Sequence, residues 1–282
     1  MSVESLWLPR SWCGTACLPP ARGGVVAAIR SAGRLAAVVL VLLATALLTP
    51  VVALVGPVRW PTVRLLARAL LAVLGVRTRL RGRLRRPAAL VVANHVSWLD
   101  ILVLLAHQPA CLVAKHQVRD WPLVGRLAAA IGTVFIDRTR PRTLPGAVAR
   151  AAAVLRAGQS VAVFPEATTW CGRAVGRFRA AMFQAAIDAR VPVVPVSLRY
   201  RSLDGETTAV AAFLGEDTIF ASVLRIARVP GLLVAVDVHP ALHPGPGATR
   251  AGLARAAKAM VYGLTAPGAH PVDPPCTGGQ VR

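Results

Sequence analysis

From Leu35 to Val58 the chain runs for 24 residues without a charge, bounded by Arg34 and Arg59. As a helix, about 20 apolar residues cross the hydrocarbon core of a bilayer, so the run is long enough to span. Pro50 lies inside it and is expected to break or kink a helix there. Arginines also flank both ends: Arg10, Arg22, Arg30 and Arg34 before the run, and Arg59, Arg64 and Arg68 after it. Counting positive charge therefore favours neither orientation of a span. A re-entrant or monotopic pair of helices, residues 35–49 and about 62–75, keeps every one of these arginines on one side. In the second helix Val63, Leu66, Leu70 and Leu74 share a face, Arg64 and Arg68 lie one turn apart, and Trp60 suits a membrane–water interface. The run is too long and too far from the N-terminus for a secretory signal, and no small-residue cleavage site follows it.

The charge distribution supports the same picture. The net charge is +21. A basic chain of this kind suits nucleic acid or an anionic lipid surface equally well until the charge is mapped. The first 99 residues hold thirteen arginines against one acid, Glu4, and nine of the thirteen fall between Arg59 and Arg86. The charge thus forms a collar around the apolar run, and nucleic acid is not expected as a partner. An apolar fraction of 55% excludes a disordered basic tail, and Gly and Pro without a fixed period exclude a collagen-like chain. The five cysteines, Cys13, Cys17, Cys111, Cys171 and Cys276, are odd in number and scattered. They read as reduced thiols of a cytosolic protein. Cys13 and Cys17 resemble half of a metal site, but no second ligand pair follows at usable spacing, so no metal is expected.

Along the chain, residues 1–34 read as poorly ordered and 35–75 as the anchor. Then Arg77, Arg79, Arg81, Arg83 and Arg85 alternate with Val76, Thr78, Leu80, Gly82 and Leu84, the period of a strand with one arginine face. Such a face is simply solvated or, beside a membrane, attracts anionic headgroups. From residue 87 short Val/Ile/Leu runs alternate with helical patterns. Strands are expected at 89–93, 111–114, 134–136, 161–164, 192–198, 209–214 and 232–238. Helices are expected at 97–106, 123–130, 144–156, 180–189, 218–227 and 250–264. Continuous apolar strands separated by helices define an α/β domain, residues 76–265, with a mostly parallel sheet covered on both faces behind an N-terminal hydrophobic helical anchor. The tail, 266–282, has four prolines and three glycines and reads as disordered.

The sharpest local signal is Asn94-His95-Val96-Ser97-Trp98-Leu99-Asp100, directly after an apolar strand. On one continuous helix His95 and Asp100 would point about 140° apart. They meet if His95 lies in the strand-to-helix turn and Asp100 in the first helical turn. A carboxylate on an imidazole fixes its tautomer and stabilises its protonated form, which suits a general base. The alternative is that Ser97-x-x-Asp100 is only a capping motif. Arg138 follows Phe135-Ile136-Asp137 at a strand end, where it binds a ligand or pairs with Asp137. Glu166, in Phe164-Pro165-Glu166-Ala167-Thr168-Thr169, stands at another strand end, where it serves a site or caps the next segment.

Taken together, His95-x4-Asp100, Phe135-Ile136-Asp137-Arg138, Phe164-Pro165-Glu166-Ala167-Thr168 and Val191-Pro192-Val193-Val194-Pro195-Val196 resemble the four blocks of the 1-acylglycerol-3-phosphate acyltransferase (lysophospholipid acyltransferase) family, in order and spacing. Lys115, Trp121-Pro122 and Gly125 are similar to that family's linker between its first two blocks. The resemblance runs from about Arg77 to Pro240. It implies transfer of an acyl chain from acyl-CoA or acyl-carrier protein to a lysolipid hydroxyl, forming phosphatidic acid from 1-acylglycerol-3-phosphate, with no cofactor, metal or covalent enzyme intermediate. It further implies that His95 takes the hydroxyl proton, that Asp100 orients it, and that Arg138 binds the acceptor head. Glu166, Ala167, Thr168 and Thr169 would shape the acceptor pocket, with Asn94 and Pro195 part of the substrate-binding blocks. Membrane lipids are then partners, and the catalytic domain is expected on the cytoplasmic side of the cell membrane.

This chain departs from the family pattern in one block. The family's third block usually reads Glu-Gly-Thr, often followed by Arg; here Ala167 replaces the Gly and Thr169 stands in place of the Arg. A Cβ at 167 opposes a positive φ, and the missing guanidinium removes a bidentate phosphate ligand. A lysolipid without a phosphomonoester, such as a lyso-ornithine lipid, is therefore an alternative acceptor. Arg173, Arg177 and Arg179 stand close enough in sequence to compensate. A non-catalytic relative that only binds anionic lipid is the alternative from outside enzymology.

Overall fold

In the computed structural model, which describes residues 9, 11–20, 23–54, 56–84 and 88–263, seven strands form one sheet. These are β1 (Val76–Arg81), β2 (Leu90–Ala93), β3 (Cys111–Lys115), β4 (Val134–Ile136), β5 (Val161–Val163), β6 (Val193–Ser202) and β7 (Leu232–Val238). Their order is β1-β7-β6-β2-β5-β3-β4, and every neighbouring pair is parallel except β6 with β7. Eight α-helices accompany them among the described residues: α1 (Val25–Leu54), α2 (Gly56–Val73), α3 (Leu99–His107), α4 (Val124–Ala130), α5 (Leu144–Arg156), α6 (Phe183–Ala189), α7 (Ile219–Arg228) and α8 (Arg250–Tyr262). The strand at 134–136, the helix at 144–156 and the strand at 232–238 lie at the residues expected from the sequence. The tail from Ala266, Arg85 of the arginine-alternating segment and residues 1–8 of the N-terminal segment lie outside the described residues.

Burial on both faces explains the continuous apolar strands. Leu90, Val91, Val92 and Ala93 of β2 are all buried. Two cores flank the sheet. On one side α2, α3 and α7 pack through Val63, Leu71, Leu99, Val103 and Ile226. On the other, α5, α6 and α8 pack through Ala151, Leu155, Phe183, Ala186 and Ala257. Because β2, β5, β3 and β4 are mutually parallel, the loops that follow β2, β4 and β5 emerge at one end of the sheet. This is the end where α/β sheets place ligands.

The anchor region differs from its expected form in four ways. First, α1 starts at Val25, so residues 25–34 are helical rather than poorly ordered. Second, the helix continues past Pro50 to Leu54. Pro50 lies one turn from the C-terminus, so the N–H it lacks and the crowding of its ring against the Ala46 carbonyl disturb only the end of the helix. Third, several collar arginines bind protein rather than bordering the apolar run in solvent. Arg34 donates to the carbonyls of Val229 (2.7 Å), Pro230 (2.9 Å) and Ala227 (3.2 Å), and Arg30 to that of Arg228 (3.1 Å), all at the end of α7. Arg64 and Arg68 donate to Ala106 (2.9 and 3.2 Å), and Arg64 also to His107 (3.2 Å), at the end of α3. The last carbonyls of a helix lack intrahelical partners and carry its negative dipole end, so a guanidinium satisfies both. Fourth, the apolar face of α2 belongs to the domain. Val63, Leu66, Ala67, Leu71 and Leu74 are buried. Trp60, half-buried against both cores, also packs on protein, with Arg59 5.2 Å above its ring.

The Arg34 guanidinium lies so close to Gly75 that a Cβ there would sit 2.1 Å from Nη2. Three carbonyls are held by one planar fork, which a lysine cannot reproduce. Arg34→Lys is expected to lower the unfolding free energy by about 1–2 kcal/mol, measured by denaturant titration in detergent.

Residues 209–214 form a buried loop, not the expected strand. Ala211, Ala212 and Leu214 are as buried as any strand residue, which is why the apolar pattern resembles one. Arg225 takes the place of a neighbouring strand by donating to the carbonyls of Val210 and Ala212, both at 2.8 Å. Its charge is balanced by Asp217 at 2.5 Å. Phe213 N–H donates to the Val96 carbonyl at 3.0 Å, stitching the loop to the turn that carries His95.

Candidate active site

After β2 the chain turns through residues 94–98 and enters α3, so His95 sits in the turn and Asp100 in the first helical turn. His95 Nδ1 lies 2.9 Å from Asp100 Oδ2. The carboxylate is fully buried, while the imidazole keeps 18% of its side-chain surface exposed. Asp100 Oδ2 also accepts from the backbone N–H of Val96 (2.7 Å) and Ser97 (2.8 Å), and Oδ1 accepts from Tyr200 Oη (2.6 Å). Four donors thus surround a carboxylate with no exposure, as a buried charge requires. Asp100 thus ties down the start of α3 and also holds the histidine side chain. With Nδ1 engaged, Nε2 is the ring nitrogen left for a substrate. The imidazole stacks on Phe164 at 4.1 Å between centroids.

Glu166, in the loop after β5, is buried and braces the backbone. Oε2 accepts from His95 N–H at 2.6 Å; Oε1 accepts from Gly176 N–H at 3.0 Å and from the Tyr262 hydroxyl. It caps no helix. Burial outweighs these three donors and raises its pKa to about 7. Burial, and then the neighbouring acid to which each donates, push Tyr262 beside Glu166 and Tyr200 beside Asp100 upward. Trp170 N–H donates to the His95 carbonyl at 2.8 Å, so His95 is held through both its backbone polar groups. A Cβ on Gly176 would come within 2.4 Å of Glu166 Oε1, so that close approach requires glycine.

Arg138 does not pair with Asp137, which instead accepts from Thr139 and lies 3.7 Å from Arg140. Arg138 Nη1 donates to the Ala167 carbonyl at 2.6 Å. Burial and the nearby Arg179 both lower its pKa, so two like charges converge beside the Ala167 segment. Arg179, half-buried, is thus the one of the three downstream arginines that lies beside Arg138, while Arg173 and Arg177 are exposed. Thr168 is half-buried. The Thr169 hydroxyl donates to the Phe213 carbonyl, which ties its side chain to the buried loop. Asn94 pairs both ends of its amide with the Leu198 backbone (2.8 and 3.0 Å), a scaffold contact between β2 and β6. Pro195 is buried in β6 opposite Val92, its carbonyl accepting from His239 N–H at 3.0 Å. These two hold the sheet together behind the site.

Ala167 adopts φ +59°. This is the left-handed backbone that a Cβ opposes, and it costs an L-residue about 1–2 kcal/mol. Ala167→Gly is expected to raise stability by about 0.5–1 kcal/mol, after allowing for the greater freedom of glycine in the unfolded chain. Equilibrium unfolding of the two proteins side by side measures it.

A protein-family model described as Acyltransferase matches residues 75–199. A lyso-ornithine lipid O-acyltransferase of Pseudomonas aeruginosa is 36% identical over 219 residues, covering 76% of this chain and 83% of that protein. The chain belongs to this acyltransferase family. A 1-acyl-sn-glycerol-3-phosphate acyltransferase of Neisseria gonorrhoeae is 38% identical over 148 residues, 52% of this chain and 58% of that relative, so the chain matches little more than half of that relative's length. Among solved structures, the 1-acyl-sn-glycerophosphate (LPA) acyltransferase PlsC from Thermotoga maritima superposes with a TM-score of 0.57 at 23% identity, covering 72% of this chain and 76% of that one. That likeness shows a shared fold.

Two residues that hold the site acids escaped the sequence reading. Tyr200 and Tyr262 are the only tyrosines in the chain. Each donates to one of the two buried site acids. Their scarcity in an apolar chain was the available signal. The cysteines also behave differently from expectation. Cys171, in the loop after β5, brings its sulfur within 4.8 Å of those of Cys13 and Cys17. Cys17 is disulfide-bonded, so it is neither a reduced thiol nor a thiolate ligand. Cys13 and Cys171 are buried free thiols, and their mutual hydrogen bond lowers the pKa of Cys171 and raises that of Cys13.

Proposed function

We propose that the chain transfers an acyl group from a thioester, acyl-CoA or acyl-carrier protein, to the hydroxyl of a lysolipid. The observation that carries this reading is the His95–Asp100 pair at 2.9 Å, with the carboxylate saturated and Nε2 left for a hydroxyl. In the scheme, Nε2 takes the acceptor's hydroxyl proton as its oxygen attacks the thioester carbonyl. The tetrahedral intermediate collapses, the C–S bond breaks, and the leaving thiolate recovers the proton from the imidazolium. Asp100 stabilises the imidazolium while it lasts. Arg138 and Arg179 supply positive charge for an anionic head group. Two substrates provide every bond made and broken, so the scheme calls for no cofactor, metal or covalent enzyme intermediate.

The membrane supplies such an acceptor, and α1 suits a membrane surface. Along its inward side Ala27, Ser31 and Thr45 are buried and Arg34, Val38 and Val41 are half-buried. Val25, Ile29, Leu40, Leu43 and Leu47 on the outward side are 62–78% exposed. A helix held on the domain along one side, with apolar residues on the other, favours lying in one leaflet over crossing the bilayer. This supports membrane association, and a thioester donor made in the cytoplasm puts the domain on the cytoplasmic side in this reading.

The phosphatidic-acid-forming reaction and acylation of a lyso-ornithine lipid are the two candidate acceptor chemistries. The second is favoured by Thr169, which stands in place of an arginine and bonds to protein, and by the 83% coverage of the lyso-ornithine lipid enzyme. The test uses detergent-purified protein, both donors, and 1-acylglycerol-3-phosphate and lyso-ornithine lipid as acceptors. Transfer to either supports the reading and decides the acceptor. Absence of transfer to a full lysolipid panel would leave a lipid-binding relative without turnover.

A further inference from the structure

The sheet has one open, strongly basic face. In β1, Arg77, Arg79 and Arg81 alternate and are exposed; in β6, Arg199 and Arg201 are exposed. The strand registers place them together. Arg77 lies level with Leu233 of β7, which lies level with Arg201; Arg79 lies level with Ala235, which lies level with Arg199. Level residues of neighbouring strands point to the same face, so five arginines share one side of three adjacent strands. In the level below, Asp237 is the acid of this face, and it is occupied by Arg199.

This is the side of the sheet packed by α5, α6 and α8. Val261, at the end of α8, accepts from Ser197 Oγ at 2.6 Å, and the arginines of β6 begin two residues further along the same strand. The opposite faces of these strands carry Leu232, Val234, Val236, Leu198 and Tyr200 in the core shared with α2. The basic face therefore points away from the side on which α1 and α2 lie, which disfavours the bilayer as its occupant. Its extent disfavours a single phosphate group: the five residues from Arg77 to Arg81 cover about 13 Å and three strands about 10 Å. That footprint matches two turns of an α-helix about 10 Å wide. The undescribed tail, 264–282, offers one acid, Asp273, against Arg282 and does not match the charge.

We propose that the face formed by Arg77, Arg79, Arg81, Arg199 and Arg201 docks a carboxylate-bearing helix of the carrier-protein form of the acyl donor. The proposal rests on the acyl-transfer reading, which requires a thioester donor; an acidic carrier is the form of that donor whose charge complements this face. Tyr200, between Arg199 and Arg201 in β6 but facing the other side, reaches Asp100. Docking would thus occur directly behind the strand that supports the site.

The experiment compares the full-length protein with Arg77→Glu/Arg79→Glu, both in detergent. Fluorescence anisotropy titrates each with acyl-carrier protein, and steady-state assays use acyl-carrier protein or acyl-CoA as donor. The expected result is carrier binding that weakens with salt and at least about 10-fold in the variant. KM for the carrier-borne donor should rise about as much, with acyl-CoA kinetics unchanged as the control for folding. Equal carrier binding by the two proteins, or no carrier binding by either, overturns the proposal. So does loss of binding to anionic vesicles in the variant with carrier kinetics intact, which would assign the face to lipid. Arginine-dependent carrier binding without turnover from either donor would keep the docking surface and remove the acyl-transfer reading.

Discussion

Asp100→Asn is expected to lower the acyl-transfer rate about 10²-fold with the fold intact, and His95→Ala about 10³-fold or more. The asparagine result is the more informative. An amide oxygen in the place of Oδ2 still accepts from Val96, Ser97 and His95. The amide nitrogen then faces Tyr200 Oη, which turns from donor to acceptor. Geometry and tautomer survive, and only the negative charge is lost. Any fall in kcat therefore reports stabilisation of the imidazolium rather than orientation. Alanine at 100 removes both and also leaves two backbone N–H groups and a tyrosine hydroxyl buried without an acceptor, so it should cost stability as well. The measurements are kcat at saturating donor and acceptor, and the denaturation midpoint in the same detergent. Wild-type turnover in His95→Ala would remove the general-base role, whatever the asparagine variant does.

Much of this site is legible in the sequence because it lies at strand ends. His95, Arg138 and Glu166 each follow a short apolar run, and acids are rare enough in this chain for Asp100 and Glu166 to stand out. What the sequence hides is long-range pairing. Arg34 finds carbonyls of residues 227–230, and Arg64 and Arg68 find residues 106 and 107. An arginine flanking an apolar run reads as a membrane-border residue until the end of another helix is known to lie against it. Residues 209–214 hide for the same reason. Burial makes a loop as apolar as a strand, and the side chain that replaces the missing ladder, Arg225, lies eleven or more residues away. Ala167 shows the converse. The departure from glycine was visible, and the backbone keeps the positive φ with the Cβ present, so the site holds its shape against a local cost.

Glu166 gives the second large effect, and it is a dependence on pH. In the unfolded chain a glutamate titrates near 4.5, and in the folded protein near 7. Between those values the unfolded state has released the proton and the folded state keeps it, so stability falls as pH rises. The contribution is fully present below about 4.5 and is lost as pH passes through 7, an effect of about 3 kcal/mol for a carboxyl this buried. Glu166→Gln removes the titration, so the stability of the variant should be nearly flat from pH 5 to 7.5 where the wild type declines. Glutamine still offers one oxygen to His95 N–H, but its amide then confronts the Gly176 N–H with a second donor. Glu166→Ala is harsher. It leaves His95 N–H, Gly176 N–H and Tyr262 Oη without their acceptor, at a cost of about 3–5 kcal/mol. Because Glu166 bonds to the backbone of His95 rather than to its ring, it acts as a positioning residue. The glutamine variant should therefore lower kcat more than it raises the donor's KM. Denaturant titrations at pH 5, 6, 7 and 7.5 decide the matter. Parallel wild-type and glutamine profiles would mean that Glu166 is already ionised at pH 5, and that its three donors outweigh its burial.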